Sequence, residues 1–134
     1  MNKFHFDILE QMADASEPVF QARVVAALIL KNKIISIGIN KTKSHPFQKK
    51  YSTHEDAIYL HAETDAIYNA LRKYNINVVA KSKLLVMRRK WLDGFKQTFV
   101  QGLAKPCSGC QRAIATFDIK EVYYTLEQKD YGQL

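Results

Sequence analysis

Two short stretches of the sequence carry residue types that can bind a metal ion and move a proton. The first contains His61 and Glu63 in a His-x-Glu pattern, and the second contains Cys107 and Cys110 in a Pro-Cys-x-x-Cys pattern. One imidazole and two thiolates can hold a catalytic zinc ion while its fourth position stays open to water. In a first helical turn, Glu63 can lie beside such a metal without binding it. The two stretches together predict a zinc site with a neighbouring proton carrier.

Each half of this pattern also has a purely structural interpretation. Cys107 and Cys110 can be a redox or structural pair, and His61 can be a core histidine with satisfied hydrogen bonds. Glu63 can be a first-turn carboxylate that complements the helix dipole. Each half alone is therefore a weak signal, whereas the combination is specific.

Both stretches are predicted to lie at the start of a helix. Apolar residues recur at helical spacing over residues 61–74, and Pro106 is placed to begin a helix over residues 107–117. Side chains in a first turn lean back toward the helix N-terminus, where the positive end of the helix dipole favours a thiolate. Two such helix starts at one edge of a sheet can aim their ligands at a single ion.

The rest of the pattern predicts an α/β fold. A helix over residues 4–15 is followed by a hairpin over residues 22–40, and further strands are predicted over residues 84–91 and 121–126. This order favours a layered sheet with parallel members. We expect a three-layer architecture in which a central mixed sheet of four to five strands carries helices on both faces. The connecting segments, 41–60 and 92–105, are predicted to be loops around the pocket, and the tail after residue 126 to be short and polar.

Composition is that of one globular domain. The 134 residues contain no repeat, low-complexity tract or linker, so we expect a single domain over residues 1–134. We find no membrane-length apolar run or signal-peptide pattern, and we expect a cytoplasmic protein with no membrane partner. The two cysteines do not form a secreted disulfide framework. The formal charge of +7, from 20 basic and 13 acidic residues, favours an anionic partner.

The paired motifs on this element order resemble the zinc-dependent cytidine and deoxycytidylate deaminase superfamily, over about residues 23–126. The resemblance implies the cytidine deaminase-like fold, a homo-oligomer, and a Zn²⁺ cofactor held by His61, Cys107 and Cys110. It also implies hydrolytic deamination of a cytosine nucleotide or nucleoside, foremost dCMP to dUMP. Zinc-bound hydroxide would be the nucleophile, and Glu63 would be the catalytic proton shuttle.

Five residues are candidates for contacting the substrate. Asn40 resembles a family position that contacts the sugar, and Arg88 can form a bidentate contact with phosphate. The other three candidates lie near the predicted pocket: Ala62, Lys43 and His45. Two alternatives to a free nucleotide stay open. One is a deaminase of single-stranded DNA or tRNA, and the other is a non-catalytic zinc-binding module, which has no use for a proton shuttle.

Overall fold

The structure is a computed structural model that describes residues 3–15, 22–41, 45–51, 60–91, 99–127 and 130–134. In these ranges the chain forms five helices and six strands, and none of these helices has the length and apolar character that a membrane crossing requires. The helices are α1 (Lys3–Ala15), α2 (Pro46–Tyr51), α3 (Ala62–Leu71), α4 (Ile76–Lys81) and α5 (Ser108–Thr116). The strands are β1 (Ala22–Leu30), β2 (Lys33–Ile39), β3 (Lys83–Trp91), β4 (Phe99–Gly102), β5 (Glu121–Thr125) and β6 (Tyr131–Gln133).

The six strands form one mixed sheet in the order β2-β1-β3-β5-β6, with β4 paired to β3. β1 is antiparallel to both β2 and β3, whereas β3 and β5 are parallel. The hairpin turn at Lys31 and Asn32 has positive φ angles of 51° and 63°, as a two-residue turn between twisted strands requires. β2, β3 and β5 therefore run in one direction, and their C-terminal ends lie at one edge of the sheet.

Alternate residues of the central strands face two separate cores. Val25 of β1 and Met87 of β3 pack with α1 on one face of the sheet. Leu28 and Val86 pack with α3 and α5 on the other face. Strands buried on both faces explain the near-continuous apolar runs of the sequence. The predicted α/β class, with helices on both faces of a mixed sheet, is confirmed.

The sheet has six strands rather than the four to five expected, because β4 and β6 lie in segments predicted to be irregular. β4 interrupts the predicted 92–105 loop and pairs with the second half of β3. β6 lies in the polar tail and pairs with β5. Gly132 permits this pairing, since a Cβ there would lie 2.9 Å from the ring of Tyr124. Both strands are too short, at four and three residues, for an alternating apolar pattern to mark them in the sequence.

Two short helices were also missed. α2 lies within the predicted 41–60 loop, and α4 follows directly after α3. α3 ends at Leu71 rather than near Tyr74, and the Asn75 side chain then accepts the Val78 N–H at 3.0 Å. Asn75 thus caps the start of α4, whereas the sequence predicts only the end of a helix at this point.

Candidate metal centre

The start of α3 lies against β2 through direct backbone contact. A Cβ at Gly38 would lie 2.2 Å from the Ala62 carbonyl oxygen and 2.3 Å from the Ala66 nitrogen, so glycine alone fits this position. The Ser36 hydroxyl on β2 also donates to the Ala66 carbonyl oxygen. These contacts put the N-terminus of α3 at the C-terminal end of β2.

His61 is the residue that immediately precedes α3, and its backbone is extended, with φ −82° and ψ 160°. Its N–H donates to Gln48 Oε1 at 3.1 Å, and its carbonyl oxygen accepts the Asp65 N–H at 2.9 Å. Gln48 lies on α2, is fully buried, and also accepts the Thr64 hydroxyl. α2 is therefore bonded directly to the segment that carries the imidazole.

The two cysteines lie at the start of α5. Cys107 is its N-cap, and the Cys107 Sγ accepts the Cys110 N–H at 3.5 Å. Gln111 strengthens this turn, because its backbone N–H donates to the Cys107 carbonyl oxygen at 2.8 Å and its side chain donates to the Pro106 carbonyl oxygen at 2.8 Å. Cys110 is fully buried and Cys107 is exposed, and both sulfurs lie within 3.5 Å of the imidazole of His61 at the start of α3.

The three ligand atoms converge with distances that suit zinc. The His61 Nδ1 lies 3.3 Å from the Cys110 Sγ and 3.5 Å from the Cys107 Sγ, and all three atoms lie within 4.8 Å of one another. A tetrahedral zinc with ordinary bond lengths of about 2.0–2.1 Å to nitrogen and about 2.3 Å to sulfur separates N and S by about 3.6 Å. Magnesium and calcium prefer oxygen ligands, so the two sulfurs favour zinc. The residues present fit the metal that the motifs predict.

Glu63 lies beside this cluster and outside its ligand set. The residue is 6% exposed, and its carboxyl group interacts electrostatically with His61 and Cys107. Burial raises the pKa of Glu63, whereas a backbone hydrogen bond and the His61 charge oppose that increase. The arrangement supplies three metal ligands with a shielded carboxyl group next to them.

The sulfurs and the imidazole are electrostatically coupled. Hydrogen bonds lower the pKa of Cys107 to about 3. The bond with the Cys110 side chain has the largest effect, and the bond with His61 has the next largest. The hydrogen bond to Cys107 and burial both raise the pKa of Cys110. The Cys107 side chain raises the pKa of His61, against the effect of burial. This coupling favours the thiolate form of Cys107, and a bound divalent cation would hold both sulfurs as thiolates and the imidazole neutral.

The family profile for the cytidine and deoxycytidylate deaminase zinc-binding region matches residues 2–126 of the chain. The chain belongs to this family. Members of the family are zinc-dependent hydrolases that act on nucleotides or nucleosides, and His61, Cys107 and Cys110 are placed to hold the metal ion.

Two solved structures share the fold of this deaminase family member. The apo dCMP deaminase from the cyanophage S-TIM5 is 19% identical and has a TM-score of 0.60, over 94% of this chain and 82% of the phage protein. The cytidine deaminase from Burkholderia pseudomallei is 16% identical and also has a TM-score of 0.60, over 100% of this chain and 92% of that protein. At these identities the similarity establishes the fold alone. No curated protein sequence matches the chain.

Two of the predicted substrate contacts of this family member lie next to the metal centre. Asn40 follows β2, where its Oδ1 accepts the Val24 N–H at 3.0 Å and completes the ladder between β1 and β2. The next residue, Lys41, donates its N–H to the Leu60 carbonyl oxygen at 2.9 Å, which puts Asn40 beside the segment that leads into α3. Ala62 is fully buried and packs in the core, so a contact between this residue and a substrate stays a prediction.

The remaining candidates have structural contacts of their own. The His45 Nδ1 accepts the Phe47 N–H at 3.1 Å, and its ring meets the edge of Tyr68 at 4.6 Å between centroids. The Arg88 guanidinium donates to a backbone carbonyl in the segment between β4 and α5. Lys43 lies outside the described residues. A substrate contact by any of these three side chains stays a prediction.

Sequence reasoning missed two polar residues that organise the centre. Gln48 lies in a stretch that the sequence predicts to be a loop, although it is buried and bonded to the His61 backbone. Asp65 is 3% exposed and accepts a backbone N–H of β2. The signal in the sequence that could have found Asp65 is a charged residue next to the apolar positions of a predicted helix.

Proposed function

We propose that this family member hydrolytically deaminates a cytosine nucleotide or nucleoside, with dCMP as the foremost substrate. The observation that carries the proposal is the convergence of the His61 Nδ1 and two cysteine sulfurs at zinc-compatible distances beside a buried carboxyl group. Family membership supports zinc-dependent deamination in general. We assign the proton-transfer role to Glu63 and choose dCMP as the substrate as part of this proposal.

In this proposal the protein's residues divide the work of a hydrolysis at C4 of cytosine. Zinc, when bound, supplies the Lewis acid that makes water a competent nucleophile near neutral pH. Glu63 takes a proton from the attacking water, delivers it to the base ring, and later helps the amino group to leave as ammonia. The burial of Glu63 supports this role, because a carboxyl group screened from bulk water exchanges its proton only with the groups beside it.

The number of protein ligands argues against a purely structural metal. Structural zinc sites are closed by four protein ligands, whereas catalytic sites use three and keep one position open. The described residues bring three donors together, and Glu63 lies next to them without joining the set. A shielded acid beside an incomplete coordination shell is what a hydrolytic site requires.

The charge of the chain favours a phosphorylated substrate. The two solved structures, a dCMP deaminase and a cytidine deaminase, have the same TM-score of 0.60, so their similarity does not discriminate between nucleotide and nucleoside. The formal charge of +7 does favour an anion. The proposed phosphate contacts are Lys105, which is exposed two residues before Cys107, and Arg88. Lys41 is a weaker candidate, because its ammonium group is paired with Asp65 at 3.2 Å.

The direct test is ammonia release by the zinc-loaded protein from dCMP, dCTP, deoxycytidine and cytidine, beside a cytosine-containing single-stranded oligonucleotide. We expect deamination of dCMP, with a lower KM than that for deoxycytidine. The Glu63→Gln protein, purified in parallel, controls for a contaminating deaminase. Ammonia release from none of the four small substrates would overturn the proposal, and turnover of the oligonucleotide alone would favour the nucleic-acid alternative.

We also propose that the chain self-associates. In the described part of the sheet, β2 is a terminal strand, and its Ile39 is 36% exposed. An apolar edge strand of this kind is prone to association with other chains. Light scattering at high protein concentration should show an oligomer, and a monomer would contradict the expectation.

A further inference from the structure

We propose that Asp65 is a positioning residue that fixes Asn40 relative to the metal centre and thereby sets the affinity for substrate. The inference rests on the proposed function and on the predicted contact between Asn40 and the substrate. It assigns to Asp65 neither metal binding nor proton transfer.

Asp65 binds both chain neighbours of Asn40. Its Oδ2 accepts a hydrogen bond from the Ile39 N–H at 3.0 Å, and its Oδ1 accepts a hydrogen bond from the Lys41 ammonium group at 3.2 Å. The same ammonium group lies 3.2 Å from Oδ2, so it bridges the two carboxylate oxygens. Asp65 also donates its own N–H to the His61 carbonyl oxygen at 2.9 Å. One side chain on the metal-bearing helix thus holds the residues on either side of Asn40.

Asn40 is fixed from the opposite side by β1. Its N–H donates to the Val24 carbonyl oxygen at 3.2 Å, and its Oδ1 accepts the Val24 N–H at 3.0 Å. These two bonds attach Asn40 to the sheet, whereas Asp65 links the same segment to α3. Loss of Asp65 would leave Asn40 on the sheet and the Lys41 N–H bonded to the Leu60 carbonyl oxygen, but would remove the side-chain link from this segment to α3 itself.

The cost of burying this carboxylate indicates a role in geometry rather than in stability. The Asp65 side chain is 4% exposed, yet Lys41, its cationic partner, is 41% exposed, so water screens much of their attraction. Desolvating a carboxylate is expensive, and an apolar residue would often stabilise such a position equally well. The Asp65 carboxylate makes a directional hydrogen bond with the backbone at the end of β2, and an apolar side chain could not make this bond.

Other bonds already attach β2 to α3 farther from Asn40. The Ser36 hydroxyl donates to the Ala66 carbonyl oxygen, and the Asn69 Nδ2 donates to the Ile37 carbonyl oxygen at 3.0 Å. Asp65 adds a further hydrogen bond between β2 and α3, at the end of the strand that leads into Asn40. Ser36 therefore offers a matched control, because it joins the same two elements without contacting the neighbours of Asn40.

The test compares Asp65→Ala, Asp65→Asn and Ser36→Ala in the zinc-loaded protein by zinc content, Tm and steady-state kinetics with dCMP. Asp65→Ala should raise KM about tenfold, the effect of about 1.4 kcal/mol of lost binding, with kcat and zinc content little changed. Asp65→Asn keeps an oxygen for the Ile39 N–H and should recover much of this loss. Ser36→Ala should lower Tm and leave KM unchanged.

An unchanged KM in Asp65→Ala, or an equal rise in Ser36→Ala, would overturn the inference. If Asp65→Ala does not fold, Lys41→Met decides, with KM measured for dCMP and for deoxycytidine, because Lys41 is also a candidate phosphate contact. Lys41→Met should raise KM about threefold for both substrates, as expected for a partly screened ion pair, and a wild-type KM or a rise for dCMP alone would contradict the inference. A wild-type protein that releases no ammonia would instead refute the proposed function, so the two failures are distinguishable.

Discussion

Gly38 on β2 and Ala62 on α3 touch through their backbones, and no side chain fits between them. A Cβ at Gly38 would lie 2.2 Å from the Ala62 carbonyl oxygen. Because Ala62 directly follows His61, this contact sets how closely the imidazole approaches the sheet. Gly38 is thus a determinant of the metal centre, although it contributes no ligand.

Gly38→Ala should therefore damage both the fold and the metal centre. Accommodating the methyl group requires α3 to move away from β2, at a cost of about 3 kcal/mol or more of unfolding free energy. Gly102→Ala is the matched control, because a Cβ there would meet only side-chain carbons of Lys90 and Arg88 at 3.2–3.3 Å. Urea unfolding and zinc content should distinguish the two variants, and equal effects would contradict the account.

Gln48→Leu should loosen the metal centre from a position outside its ligand set. The change removes the acceptor of the His61 N–H and of the Thr64 hydroxyl, which costs about 1–3 kcal/mol of unfolding free energy. It should also accelerate the transfer of zinc to a chromogenic chelator.

Gln101→Leu controls for the burial of a glutamine as such. Gln101 is also buried, but it donates to the carbonyl oxygens of Leu126 and Asp130, between β5 and β6. Its loss should lower stability and leave the rate of zinc transfer unchanged. Equal rates of transfer in the two variants would show that Gln48 does not support His61.

Glu63→Gln should separate turnover from metal binding. The amide is nearly isosteric but cannot accept a proton, so kcat for dCMP should fall about 10²- to 10⁴-fold. Zinc content, measured by atomic absorption, should stay at the wild-type level, because Glu63 is outside the ligand cluster. A variant that keeps full activity would identify the site as something other than the proposed proton shuttle.

Chelation of zinc should lower Tm, and stoichiometric zinc should restore it. The ion joins the first turns of α3 and α5, so its binding free energy contributes to folding. Magnesium should not substitute, because two of the three donors are sulfur. In Cys110→Ser the Tm should respond little to added zinc, and a wild-type response there would place the metal elsewhere.

The sequence predicted those parts of the molecule that local pattern encodes. The hairpin, α1, α3 and α5 follow from apolar periodicity, and the convergence of His61 with Cys107 and Cys110 follows from two helix starts at one sheet edge. β4 and β6 escaped prediction because strands of four and three residues are too short to show an alternating apolar pattern. Gln48 and Asp65 were missed for a different reason, since their roles appear only once their partners on other elements are known.

Zinc K-edge X-ray absorption on the purified protein tests the central claim most directly. If zinc is bound by His61, Cys107 and Cys110, we expect one zinc per chain with two sulfur neighbours at about 2.3 Å and two nitrogen or oxygen neighbours at about 2.0–2.1 Å. One of the light neighbours should be the His61 imidazole, and the other should come from solvent. A coordination shell without two sulfurs, or no stoichiometric zinc at all, would contradict the account.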